Sequence, residues 1–279
     1  MSLFIGIAAS AIGFTAWPLV VPVLFILCGF DLYLTLFSSL LVDCGNALVM
    51  TVIAKKNNCL DVRRGILLGI FAVFWVVAGF AVGRVFIPGN EDLFRGSAGV
   101  ITIFIGLSFV VRGIKNKPEG MHAGNSAISG ETNICPPAAA APKKDGVRHR
   151  LVYAGVAVMG FHIGFLGIGG GMGYAISLML FLSYPVLKAT GTAMLITLCS
   201  TLVAAGLMFV HIPAGTFEQL SFQWLIPAMV MLSMTGTLCG AKIAYSLTSR
   251  QINFLIGGVV VAAGLLAAFQ KYILQLMAV

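Results

Sequence analysis

The stretch Gly160-Phe-His-Ile-Gly164-Phe-Leu-Gly167-Ile-Gly169-Gly170-Gly171-Met-Gly173 holds the residues best suited to chemistry. It lies inside a long apolar run, where bare backbone is tolerated only if it lines a cavity or is buried in protein. Consecutive glycines at Gly169, Gly170 and Gly171 therefore predict an unwound hinge. Past the hinge a new half-helix should begin near Met172. Its free N–H groups and the positive end of its dipole would form a site for an anion. Gly160, Gly164 and Gly167 have a second explanation, because small residues at helical spacing let helices pack closely. The stretch is not a nucleotide-binding loop. It has no Gly-Lys-Ser/Thr ending, no preceding strand and no ribose-binding acid at the expected distance.

Small polar residues follow each break in the apolar pattern. Thr190, Thr192, Thr197, Ser200 and Thr201 in the second half of the chain correspond to Ser38, Ser39, Asp43 and Asn46 in the first. Hydroxyl and amide donors near two half-helix N-termini would coordinate an oxyanion without burying a full countercharge, which suits sulfite, sulfate or sulfonate groups. Such hydroxyls also bond back to their own helix. Asp43 is the one carboxylate within the apolar spans, where a charge costs about 2.5–3.5 kcal/mol on insertion scales. It should face the pathway, either carrying a coupling proton or pairing with a base such as Arg84 or Lys242. His162 either packs as a neutral ring or titrates beside the anion.

Composition sets the solvent for these groups. Charged residues are 9% of the 279 and hydrophobic residues 59%, with a mean hydropathy of +1.02. So few charges cannot clothe a water-soluble globule. The net charge of +8 does not form a nucleic-acid-binding stripe. The bases cluster in two loops, Lys55 to Arg64 and Arg112 to Arg150, between apolar runs, as cytoplasmic loops of membrane proteins do. The six cysteines (Cys28, Cys44, Cys59, Cys135, Cys199 and Cys239) show no zinc-like spacing and read as small apolar fillers. Cys135 and His122 alone do not make a metal site. No metal or organic cofactor is expected.

Apolar segments run from about Leu3 to Phe30, Leu32 to Ala54, Ile66 to Phe86, Ala98 to Val111, Leu151 to Leu182, Ala189 to Val210, Leu225 to Leu247 and Phe254 to Ile273. Six look like ordinary membrane spans. The first and fifth are longer and broken internally, at Gly13 to Pro18 and at Gly167 to Gly173. They hold equivalent places in the two halves, the mark of an internal duplication. If each broken segment folds back as a hairpin, Lys188, Lys242 and Arg250 fall on the linker side, and the 17 Lys+Arg split 14 to 3. This arrangement obeys the positive-inside bias better than a crossing segment does. The expected fold is an all-α polytopic membrane protein of two homologous, inverted repeats, each a re-entrant helix plus three transmembrane helices. The repeats span 1–112 and 151–279. The Pro-, Gly- and Lys-containing stretch 113–150 reads as a disordered basic cytoplasmic linker.

At the Gly-Ile-Gly-Gly-Gly run, followed by Pro185 and Ala189-Thr190-Gly191-Thr192, the sequence resembles the sulfite exporter TauE/SafE family of membrane permeases. The resemblance covers both halves and omits the linker. It implies a duplicated-repeat permease for sulfite, thiosulfate, sulfoacetate or another organosulfonate, with Gly169, Gly170, Gly171 and Thr192 on the family's glycine motif and following helix. The first half departs from the pattern, with Thr15-Ala16-Trp17-Pro18 where the second has Gly169-Gly170-Gly171-Met172. Trp17 would narrow the site or wall off an organic tail, and Thr15 would add a donor.

The expectation is thus a secondary transporter in the inner (plasma) membrane, driven by a proton or other ion gradient. Its partners are the sulfur anion and the lipid bilayer, a homodimer remains open, and nucleic acid is excluded. Two other readings stand beside it: a permease for an unrelated anion or metabolite, and an intramembrane thiol-dependent enzyme or assembly factor using Cys44 or Cys199.

Overall fold

The computed structural model describes residues 32–86, 146–167, 169–212 and 220–244, with scattered positions toward the ends (2–3, 6–7, 20, 24, 30, 103, 107, 111, 114, 258, 261 and 265). Six helices make up the described fold: α1 (Leu32–Lys56), α2 (Val62–Phe86), α3 (Gly146–Leu166), α4 (Gly171–Leu182), α5 (Val186–Phe209) and α6 (Leu220–Ala244). No strand occurs among the described residues. Four of the helices, α1, α2, α3 and α5, are long and apolar enough to cross a membrane. The expected spans near both ends of the chain, and the linker up to residue 145, lie almost wholly outside the described residues. Where the linker was expected to continue, α3 has already begun, so Arg148 and Arg150 belong to a helix.

Local sequence explains the helix limits. Lys55 and Lys56 occupy the last turn of α1, where positive charge suits the helix dipole. Asp61 precedes α2 and its Oδ1 accepts the Arg64 N–H at 3.1 Å, closing the first turn. Helix α2 is apolar on two faces. Gly65, Gly69, Ala72, Gly79 and Gly83 lie on the buried side together with Leu68, Val76 and Phe80, whereas Ile70 and Phe74 are 67% and 68% exposed. A glycine-rich inner face and a bulky outer one match a span that packs on protein and dissolves in lipid.

The buried glycines fix how the helices run. A Cβ on Gly160 would stand 2.7 Å from the Ala72 carbonyl oxygen, and Gly164 lies against that of Val76, so α3 runs parallel to α2 with their backbones in contact. Gly155 abuts Ser177, Gly173 abuts Met159 and Gly170 abuts Ile163. Because these pairs run in opposite directions, α3 and α4 form an antiparallel hairpin with its tip at the glycine break. Gly65 meets Leu195 and Gly69 meets Cys199, which sets α5 parallel to α2. Gly191 meets Ala54, and the Phe37 and Phe209 rings lie 5.5 Å apart in a tilted pair, so α1 runs against α5.

One end of the bundle thereby collects the 57–61 turn, the start of α3, the Ser183–Pro185 turn and the start of α5. Lys55, Lys56, Arg63, Arg64, Arg148, Arg150 and Lys188 all sit there. Cys44, Cys199 and Cys239 are free thiols. Cys59 departs from the filler reading, being disulfide-bonded to a partner outside the described residues.

Candidate functional site

The hairpin tip is where the backbone leaves helical geometry. Gly167 has φ +66°, a left-handed conformation that costs glycine little and other residues more. Gly169 and Gly170 follow without regular structure, and α4 starts at Gly171, one residue before the expected Met172. All of Gly167, Gly169, Gly170 and Gly171 are buried. The first intrahelical bond runs from Tyr174 N to Gly170 O at 3.0 Å. The N–H groups before it have no acceptor within the helix, and no side chain caps them. An uncapped helix N-terminus thus ends inside the protein.

Depth follows from the neighbours of α4. The Tyr174 hydroxyl pairs with Ser200 Oγ at 3.1 Å, about 20 Å along α5 from its basic end at 1.5 Å per residue. On the opposite side the break touches α1, where a Cβ on Gly167 would come 3.1 Å from Leu36. The same two turns of α1 carry Thr35 and Ser39. Both side chains are 0% exposed, and neither hydroxyl has a hydrogen-bond partner among the described residues. Farther along this face come Asp43 and Asn46, also buried. Cys44 on α1 lies beside Thr201 on α5, at the level of Tyr174 and Ser200; the Thr201 hydroxyl itself donates back to Thr197 at 2.8 Å.

Other expected residues lie apart from the break. Thr192 sits at the basic end, where its Oγ1 accepts the Asp61 N–H at 3.2 Å, and Thr190 is half-buried in the same turn. Ser200, about 12 Å farther along α5, carries the hydroxyl that pairs with Tyr174 of α4. Ser38 Oγ donates to the Leu34 carbonyl at 2.7 Å. Thr197 and Ser200 likewise donate to Ala193 and Ile196. These are the back-bonds that apolar helices impose on hydroxyls. Asn46 Oδ1 accepts from both Ser233 and Thr237 at 2.9 Å, holding α6 on α1, while its Nδ2 has no partner among the described residues. His162 is half-buried with Nδ1 unpartnered among those residues. Arg84 is exposed at the end of α2, and the Lys242 side chain, Thr15 and Trp17 lie outside the described residues.

Sequence reasoning missed Thr35, Tyr174, Asp61 and Tyr184. Thr35 was recoverable, since it precedes Ser39 and Asp43 on one helical face. Asp61 was recoverable as a capping acid before α2. The pairings of Tyr174 and Tyr184 link separate segments and leave no periodic trace.

A helical bundle with lipid-facing apolar surfaces, and with a helix broken against a hydroxyl-bearing face inside it, is the architecture of a membrane transport protein. The chain belongs to the sulfite exporter TauE/SafE family, whose model matches residues 1–267. No curated protein and no solved structure matches the chain. Family and helices together define a transmembrane protein of transport.

Proposed function

We propose that the protein is a secondary transporter of a small sulfur-containing anion, such as sulfite, thiosulfate, sulfoacetate or another organosulfonate. The observation that carries this reading is the uncapped N-terminus of α4, buried deep in the bundle beside the turns of α1 that bear Thr35 and Ser39. Bare amides and unpartnered hydroxyls supply what an oxyanion loses on leaving water, without a buried cation. Gly169, Gly170 and Gly171 shape the site, with Ser39 and Thr35 facing it from α1. Tyr174 and Ser200 brace the α4 side.

Alternating access by two inverted repeats would move the anion past this point. Helices α1 and α5 begin at Leu32 and Val186, the offset at which the two halves of the sequence superpose. Their antiparallel course supports the inversion. Basic residues at the turn end favour a cytoplasmic side for it. The disulfide at Cys59 sits at the same end and runs against a reducing compartment there. The charge bias is spread over one helix end and three helix starts, and it is the feature that favours this orientation. Asp43 and His162 are the groups available to couple proton flow to the anion, and no nucleotide motif is present to supply energy instead.

Purified protein in liposomes should take up labelled sulfite, thiosulfate or sulfoacetate with saturation. Gly170→Leu, which would drive a side chain into Ile163 and Tyr174, should abolish uptake while the protein remains folded. Asp43→Asn should keep anion binding and lose pH-driven accumulation. Absence of saturable uptake for all three anions by folded protein would overturn the assignment.

A further inference from the structure

The basic end of the bundle carries a polar cluster that joins segments far apart in sequence. The Tyr184 hydroxyl donates to Asp61 Oδ2 at 2.8 Å and accepts from Arg64 Nη1 at 2.9 Å. The Arg64 guanidinium lies 5.7 Å from the centre of the Tyr184 ring, the Lys188 ammonium 5.1 Å from it, and Arg64 Nε stands 3.8 Å from Asp61 Oδ2. The Asp61 N–H donates to Thr192. One residue, Asp61, thus gathers the α1–α2 turn, the α4–α5 turn and the start of α5 through its carboxylate and its backbone N–H.

What this cluster holds follows from the packing on either side of α4. Helix α3 is fixed to α2 through backbone contacts at Gly160 and Gly164, where carbonyl oxygens leave no room for adjustment. Helix α4 meets α3 through the Met159 and Ile163 side chains instead, which can change rotamer. Its inner end hangs on Gly167–Gly170. Its outer end turns through Ser183, a non-glycine residue at φ 51°, straight into Tyr184. The helix is therefore hinged inside and fastened outside.

We propose that Tyr184, Asp61 and Arg64 form a latch that holds α4 closed against the α1–α2 turn at the basic end. Releasing it lets α4 swing about the glycine break and opens the interior to that side. The proposal rests on the alternating-access reading above, and it adds the element that moves and the contact that restrains it.

Spin labels at Leu180 on α4 and Ile70 on α2, 68% and 67% exposed, report the swing in full-length protein reconstituted in bilayers. The unaltered chain should give one dominant distance. Tyr184→Phe keeps the ring over which both cations sit and removes the hydroxyl, and it should raise the share of a longer distance about tenfold, the factor that about 1.4 kcal/mol of lost hydrogen bonding to a charge corresponds to. Asp61→Asn should act in the same direction, and the double variant should add little to either. Unchanged distances in both single variants would overturn the latch, even with saturable anion uptake. A shifted distribution in a protein that moves none of the sulfur anions would leave the latch standing and remove the substrate assignment instead. Loosening of the turn alone would not move labels placed on α2 and α4.

Discussion

Gly164 on α3 meets the carbonyl oxygen of Val76 on α2 with no side chain between them. Gly160 repeats the relationship one turn away at Ala72, and Gly79 offers the same bare surface in return to Phe161. Backbone oxygens cannot rotate aside as a leucine methyl can. A methyl group at Gly160 or Gly164 must push the helices apart, at a cost of about 1–3 kcal/mol. Thermal unfolding in detergent should show Gly164→Ala and Gly160→Ala melting below the parent. Gly206→Ala, where nothing among the described residues lies within 4 Å, should not melt lower. Equal melting of all three would mean that the seam is not tight.

The unpartnered hydroxyls on α1 predict a separation of stability from binding. Removing a buried hydroxyl that has no partner among the described residues sacrifices no hydrogen bond to them, so Ser39→Ala and Thr35→Val should melt at or above the parent temperature. A hydrogen bond to a charged ligand contributes about 1.5–3 kcal/mol, so either change should weaken anion affinity tenfold or more. Calorimetric titration with sulfite and thiosulfate checks this. Unaltered affinity in both would place the anion elsewhere.

The latch has a defined response to pH. Partial burial raises the Asp61 carboxyl, but the Tyr184 hydrogen bond, the Arg64 N–H and the charges of Arg64 and Lys188 outweigh it and hold the group below its ordinary 3.8. A depressed carboxylate contributes fully above its unfolded value, and that contribution disappears as pH falls through the folded one. Tyr184 shifts the other way, pushed up to about 12 by burial, by its bond to Asp61 and by the negative charge there. Its contribution is present below about 10 and is lost as pH rises through about 12. The Leu180–Ile70 distance should therefore hold constant from pH 5 to 8 and lengthen below about 4. Widening near neutrality would show a different group in control, and any pH dependence of uptake in that window would belong to Asp43 or His162.

Thiol chemistry separates transport from catalysis. Cys44 and Cys199 lie half-buried between helices as free thiols, so their serine variants should retain uptake within a few-fold of the parent. Loss of all activity in either, with the fold intact, would favour the thiol-dependent reading.

The break was legible because three successive glycines inside an apolar run have few physical explanations, and α4 begins one residue from where that argument put it. The polar face of α1 was legible through helical spacing, since Ser39, Asp43 and Asn46 recur at the period that puts side chains on one side. Thr192 shows the limit. Its type suited an anion site, but its place, two turns from Ser200 along α5, follows from how α5 docks against the α1–α2 turn. The Tyr184–Asp61 contact was invisible for the same reason, because a bond between two loops is set by packing and leaves no mark on either segment alone.

The bare seam between α2 and α3 bears on leakage. Where two main chains touch, no file of water molecules can thread between them, and a proton finds no wire to follow. The outer surface of α2, with Ile70 and Phe74, faces hydrocarbon and is equally impermeable to ions. Among the described helices α2 is thus a bulkhead, and an anion held at the α4 break would pass along the opposite flank of the hairpin, by α4, α5 and α1. A gradient can be maintained across such a wall.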